Sequence, residues 1–392
     1  IDLQQDTQAV GRSGSFLFHS DSVARGLGFC PERLCIREIP RPSGGKANPR
    51  VTGTSIPPQQ HDLVVNAMNG RNGRRYQRRK APSLPCRQGL RLYKSAAQGH
   101  ADKLERLLRR LGYEERDGIY RHASRQLIFV GDFIDRGAEI RRTLQLVRAM
   151  VDAGTARAVI GNHEFNALLY HTKGPDGQWL RSHDEKNTFQ HQATLDQIAL
   201  SEPDEWKGWL DWMLQLPLWL DLGSCRVVHA AWDDAAVQAC GTRDTLAEIT
   251  LAKAKRRQTP EGSAVNWLLK GPEYWLSNGI VFVDKEGFKR KTVRAKWWIP
   301  IRPGMTHAEA AMPGGELRGD GCVPNGVSFR GYAEEEPPLF FGHYWLDPKG
   351  VKNPLAPNIA CLDYSAGCGG PLVAYRFDGE AILKPDKFVA AE

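Results

Sequence analysis

The chain has 392 residues, 41% hydrophobic and 25% charged, ordinary proportions for a soluble globular protein that buries one large core or two smaller ones. No apolar run is long enough to span a bilayer, which excludes a membrane-spanning helix. The net charge of +8 is uneven: residues 1–98 carry 16 Lys+Arg against 6 Asp+Glu, leaving −2 for everything from Gly99 onward.

That basic excess invites nucleic acid as a partner, but the cluster RNGRRYQRRK (Arg71 to Lys80) reads as a solvated charge run, so nucleic-acid binding is not expected. From Ile1 to about Arg91 the sequence is rich in Gly, Pro, Ser and Arg and holds no helical or strand period for long, so mostly loop or disorder is expected. Eight cysteines lie at irregular spacings without a CxxC pair. That is neither a zinc ribbon nor a disulfide framework, and it points to a reducing cytoplasm.

At Gly99 the character changes. In HADKLERLLRRLGYEE, Leu104, Leu107, Leu108 and Leu111 recur at helical spacing and Gly112 marks the stop. QLIFVGD reads as a buried strand, EIRRTLQLVRAMVDAG as a helix ending at Gly154, and ARAVIGN as a second buried strand. Strand, helix, strand with polar turns predicts an α/β layered domain whose chemistry sits at the carboxyl ends of the strands. The helical stretch DEWKGWLDWMLQLPLWL follows, with Trp206, Trp209 and Trp212 at spacing that predicts core packing. CRVVHAAWD is a strand, LAEITLAKAKRR a helix within a mixed segment from Ala236 to about Arg330, and PLFFGHYWL, NIACLDYS and GGPLVAYRFDGE are strands, the last expected as a hairpin.

Two motifs fall at strand ends, GDFIDRG (Gly131 to Gly137) and GNHE (Gly161 to Glu164), followed by VVHAAWD and FGHYW. In this order and spacing, residues 99–379 resemble the calcineurin-like metallophosphoesterases, in particular the bacterial phosphoprotein-phosphatase type, a group that includes serine/threonine phosphatases and dinucleoside polyphosphatases. The resemblance implies a four-layer fold, a central β-sandwich flanked by helices, spanning 99–392 with capping insertions at about 171–220 and 236–330. It implies hydrolysis of phosphate esters by a water activated by divalent metals, two in the family, with manganese expected and iron or zinc as alternatives. Asp132 would bridge the metals, and Asn162, His229 and His343 would complete one site. His163 would protonate the leaving group, Asp135 would orient its imidazole, and Arg136 would bind the phosphate together with Asn162 and His163. Singly, Asp132 also reads as a turn carboxylate, Arg136 as a surface ion pair and His229 as a core histidine; the joint pattern favours the site.

Members of the family carry GDxHG just before the first helix, its Asp and His holding the other metal. Aligning on Gly99 places Ala96 and Gln98 at those positions, so they stand as vacant ligand positions. No continuous apolar run in LRLYKSAAQ supplies the strand expected before them. Two explanations compete. Either the lineage has lost half its metal centre, or residues 1–98 are translated from a wrong or misjoined frame; the intact later motifs favour the second. The expected protein is thus a phosphoesterase that binds one metal well and is impaired in activity. A non-catalytic phosphate-recognising relative and a dinucleoside polyphosphate hydrolase are the alternatives. Its substrates would be phosphorylated proteins or small phosphorylated molecules, with no membrane partner.

Overall fold

The computed structural model describes residues 60–64, 100–277, 280–284, 289–312, 315–318 and 321–391. The first described element is the strand β1 (Gln60–Val64), followed by α1 (His100–Leu111), the hairpin β2 (Glu114–Arg116) and β3 (Ile119–Arg121), β4 (Arg125–Phe129), α2 (Ile140–Asp152), β5 (Ala156–Ala158) and α3 (Asn162–Tyr170). Then come α4 (Glu185–Thr194), which runs into a π-helical turn at Leu195–Ala199, α5 (Pro203–Leu214), and the antiparallel pair β6 (Trp219–Asp221) and β7 (Arg226–Val228). The middle of the chain holds α6 (Asp234–Cys240), α7 (Leu246–Ile249), α8 (Leu251–Ala254), α9 (Pro260–Lys270), β8 (Glu273–Trp275), β9 (Val281–Asp284), β10 (Lys289–Arg290), β11 (Thr292–Arg294), α10 (His307–Ala310) and β12 (Gly315–Arg318). β13 (Leu339–Phe341), β14 (Ile359–Cys361), β15 (Leu372–Phe377) and β16 (Phe388–Ala391) close it.

Two larger sheets form the centre, one ordered β16-β15-β1-β4-β5 and the other β14-β13-β7-β6. Strand alternation explains their stacking. Ile128 and Val130 join Val227, Phe340, Ala360, Tyr375 and Phe377 in one fully apolar cluster drawn from both sheets, the inner layer of a sandwich. The intervening residues Leu127 and Phe129, with Leu339 and Phe341 from the other sheet, face outward into the large core shared with the helices. Both faces of each sheet are therefore covered, as the unbroken apolar strands predict. Truncating Phe340, fully buried between the sheets, would cost about 3–5 kcal/mol through lost burial and the cavity left behind.

The helices follow their local signals. Leu104, Leu107, Leu108 and Leu111 of α1 are buried, and Gly112 (φ 90) ends the helix, with Tyr113 N–H reaching back to Leu108 O. Asp184 caps α4 by accepting from Asn187 N–H at 2.8 Å, and Thr259 caps α9 by accepting from Gly262 N–H at 3.1 Å. Trp206 and Trp209 of α5 are core residues and Trp212 packs against Phe133, in line with their spacing.

Four expectations meet differences. Mostly loop or disorder was expected from Ile1 to about Arg91, yet Gln60–Val64 forms a central strand, paired parallel to β4 and antiparallel to β15. It fills the strand position sought in LRLYKSAAQ, which lies outside the described residues. LAEITLAKAKRR is not one helix: Thr250 at φ 66 separates α7 from α8. GGPLVAYRFDGE is a single strand, β15, whose antiparallel partner β16 comes after a ten-residue connection containing a 3-10 turn at Pro385–Lys387. Of the segment expected as a capping insertion at 171–220, α5 packs into the main core and Trp219 and Leu220 belong to the second sheet. Among the described residues, Cys225, Cys240, Cys322, Cys361 and Cys368 are free thiols, and no helix is long and apolar enough to cross a membrane.

Candidate metal centre

Parallel pairing puts the functional turns at one end of the sandwich. β1, β4 and β5 run in the same direction, with Val64 opposite Phe129 and Phe129 opposite Ala158. The Asp132 turn follows β4, Asn162 follows β5, and His229 and His343 follow the parallel strands β7 and β13. Two glycines allow the first two turns to touch. A Cβ on Gly131 (φ 88) would meet the Gly161 backbone at 2.5 Å, and one on Gly161 would collide with Asp132.

Asp132, His229 and His343 are buried, and their ligand atoms all lie within 4.8 Å of one another. Asn162 completes the group, its Oδ1 lying 3.0 Å from His229 Nε2 and 2.7 Å from His343 Nδ1. The proton positions matter. His229 Nδ1 is 2.6 Å from Val130 O, a carbonyl that only accepts, so Nδ1 carries the hydrogen and Nε2 turns its lone pair inward. That lone pair faces Asn162 Oδ1 and, at 3.3 Å, Asp132 Oδ2. Asp132 Oδ2 and His343 Nε2 are buried without any hydrogen-bond partner among the described residues. A cluster of acceptors with orphaned buried atoms fits a divalent cation. Burial alone would lower the His229 pKa, but the Asp132 carboxylate outweighs it and raises it, a proton standing in for the cation. Burial, then the Arg294 guanidinium and neighbouring imidazoles, hold His343 well below the usual histidine range and so in its neutral, ligating form.

Beside this cluster stands a second group centred on Asp135. Its Oδ2 is 2.7 Å from His163 Nδ1; its Oδ1 is 2.5 Å from His191 Nδ1 and accepts from Thr194 Oγ1 at 2.8 Å. Burial would raise the Asp135 pKa, but His191 and His163 outweigh it and keep the carboxyl ionised. With Nδ1 committed to Asp135, His163 presents Nε2. Burial opposes its charge, yet the Asp132 and Asp135 carboxylates raise its pKa. Arg136 stacks its guanidinium 4.3 Å from the centroid of Trp345, two residues beyond His343, with Nη1 3.6 Å from Cys368 Sγ.

The turns are strained where the chemistry sits. Five of the seven non-glycine residues at positive φ among those described are Asp132 (61), Asp135 (81), His343 (71), Trp345 (51) and Ser365 (61). Glu164 pins the first of these turns. Buried, it accepts from Gly161 N–H (2.9 Å), Asp132 N–H (2.8 Å) and Phe133 N–H (2.6 Å), tying both motifs together. Burial, then the adjacent Asp132 carboxylate, push its pKa up to about 7.

The structure thus brings together Asp132, Asn162, His229 and His343, and separately His163 with Asp135, and sets Arg136 against Trp345. Ala96 and Gln98 lie outside the described residues. Three residues escaped sequence reasoning: Glu164, the last letter of GNHE, and His191 and Thr194, whose only signal is an i, i+3 spacing on one face of α4.

The calcineurin-like phosphoesterase family model matches residues 94–311, more than half of the chain. The chain belongs to the calcineurin-like phosphoesterase family. Among its relatives, a symmetrical bis(5'-nucleosyl)-tetraphosphatase of Dechloromonas aromatica is 32% identical over 302 residues, 74% of this chain and 93% of that protein. The asymmetrical bis(5'-nucleosyl)-tetraphosphatase PrpE of Oceanobacillus iheyensis is 41% identical over 66 residues, 17% of this chain and 26% of its own length. Matches to PrpE proteins thus span about a quarter to a third of those relatives. A protein serine/threonine phosphatase from Saccharomyces cerevisiae aligns over 86% of this chain and 81% of its own, at 12% identity and a TM-score of 0.42.

Proposed function

We propose that this phosphoesterase family member hydrolyses phosphate esters and anhydrides, with dinucleoside polyphosphates as its substrate class. The observation that carries the reading is the convergence of four ligand residues, Asp132, Asn162, His229 and His343, beside the His163–Asp135 pair. Mixed carboxylate, amide and imidazole donors suit manganese, iron or zinc, and manganese is the working assignment. A divalent cation there supplies positive charge against the phosphoryl oxygens and acidifies water towards neutral pH.

The chain's own groups do the rest. Arg136 binds phosphoryl oxygens in company with Asn162 and His163. Water attacks phosphorus, the bond to the leaving oxygen breaks, and the Nε2 proton of His163 passes to that oxygen. Asp135 fixes the imidazole through Nδ1 and stabilises its charged form before transfer. Aligned on Gly99, the sequence carries Ala96 and Gln98 where the family has its other Asp and His ligands, and neither side chain is a good donor to a transition metal, so we take one cation to be held well, a second poorly, and turnover to be slow. The irregular cysteine spacing, without a CxxC pair, supports the cytoplasm as its place of action.

The test is manganese-dependent hydrolysis of diadenosine tetraphosphate, with a phosphoserine peptide assayed in parallel. Asp132→Asn is expected to abolish metal-dependent turnover, and His163→Ala to slow it by about 10²–10⁴-fold. Ala96→Asp combined with Gln98→His is expected to raise it. Turnover of the peptide alone would overturn the substrate class; a manganese-loaded chain inert towards both, even with the double replacement, would overturn the activity.

A further inference from the structure

Lys270 carries a charge that no ion pair neutralises among the described residues. It is the last residue of α9. The next residue, Gly271 (φ 70), lies so close to the Tyr344 hydroxyl that any Cβ would collide with it, and Tyr344 adjoins His343. The Lys270 ammonium stands 5.3 Å from the ring centroid of Phe165, three residues beyond Asn162 on α3. It is thus bracketed by the two elements that supply Asn162, His163 and His343, and its field acts on His343.

No carboxylate or carbonyl lies within hydrogen-bonding or ion-pairing reach of this half-buried ammonium among the described residues. The charges acting on it are mainly alike: burial, then Arg257 and Arg181, lower its pKa to about 8, against a weaker pull from Glu273. It therefore still carries its proton at neutral pH. Arg181 is also half-buried and, among the described residues, without a carboxylate in contact. Its backbone N–H is bound to Leu169 O of α3 at 2.9 Å, its guanidinium to Gln190 Oε1 at 2.8 Å, and Asp135 acts on it only through space. Leaving such cations desolvated and unpaired is costly, and an anionic ligand recovers that cost. One phosphoryl group is already served by Arg136 and the metal ligands. Two further cations beside α3 call for negative charge beyond it.

Resting on the phosphoesterase reading above, we infer that Lys270 and Arg181 form a subsite for the phosphates that follow the scissile one, selecting polyphosphate chains over simple monoesters. The ammonium serves as a compact point charge and the guanidinium as a fork for phosphate oxygens.

Calorimetric titration of the manganese-loaded full chain with inorganic tripolyphosphate and with orthophosphate tests this without depending on turnover. The wild type is expected to prefer tripolyphosphate. Lys270→Gln should cut that preference about tenfold by removing one charge-assisted contact, Arg181→Gln should cut it in the same direction, and Lys270→Arg should retain most of it. Tripolyphosphate affinity untouched by Lys270→Gln, or both ligands weakened alike in a variant whose thermal melt matches the wild type, would overturn the subsite. Should Lys270→Gln fail to fold, Arg181→Gln and Lys270→Arg decide by the same ratio. Failure of the activity itself would show separately, as absent hydrolysis with the tripolyphosphate preference intact.

Discussion

Asp132 and His343 each lie a few residues past a buried strand, β4 and β13, and each holds a left-handed backbone. The means of holding differ. The Asp132 turn is fastened by Glu164, which accepts from two of its backbone N–H groups and from Gly161 N–H of the next turn, and by the partners of Asp135 on α3 and α4. The His343 turn draws on distant segments. Gly342 N–H donates to His229 O at 2.9 Å, Arg294 of β11 donates to His343 O at 3.0 Å, and Asp363 Oδ2 accepts from Trp345 N–H at 3.2 Å. The first turn thus takes its partners from α3 and α4, the helices that follow α2 in the chain. The second is held by Arg294 of β11 and by Asp363, just past β14, which lie far apart in the chain, so loosening either contact is expected to weaken the His343 ligand position.

The sharpest way to break this contrast is Glu164→Gln, which leaves buried backbone donors without acceptors. A loss of about 3 kcal/mol in chemical denaturation is expected, and a loss below about 1 kcal/mol would mean the turn is held by other contacts. Next comes His191→Phe, which removes one of two imidazoles from a buried carboxylate. We expect about 2 kcal/mol of destabilisation, with turnover falling further than in Thr194→Val. Arg294→Met probes the other turn. It should weaken manganese binding about tenfold by freeing the His343 carbonyl, while denaturation shifts by under about 1 kcal/mol. Equal effects of Glu164→Gln and Arg294→Met on stability would erase the distinction between the turns.

The smallest effect is expected at the other end of β4, where Asp378 pairs with Arg125 and Lys387. Burial would raise its pKa, but Lys387 and Arg125 outweigh it and hold it below the ordinary value. A depressed carboxylate contributes stability above its unfolded pKa and loses it as pH falls through the folded one. Asp378→Asn should therefore cost under about 1 kcal/mol at pH 7, the pair being partly exposed. The gap to wild type should close below roughly pH 4. A gap that persists in acid would assign the effect to packing rather than charge.

Much of the site could be read from residue order alone. GDFIDRG and GNHE combine donor atoms with glycines that allow two backbones to touch, and both requirements are local, so they leave a linear trace. The apolar runs of β4, β7 and β13 likewise announce strands buried on both faces. The segment Gln60–Val64 was less legible because it is short and its surroundings lack a period; its place between β4 and β15 is a matter of pairing, which no single segment encodes. The same holds for Thr250, whose left-handed backbone splits LAEITLAKAKRR into two short helices.

The amino-acid order alone settles the donor chemistry, the strand ends that carry it and the layered α/β class, because side-chain type and hydrophobic period act within a few residues. It leaves open that His191 and Thr194 close on Asp135 from more than fifty residues away, that Glu164 ties two turns, and that the Lys270 ammonium comes to rest over the Phe165 ring of α3. Periodicity says which face of an element is buried; only the packed fold says what that face meets, and the polar partners of a buried charge are chosen there.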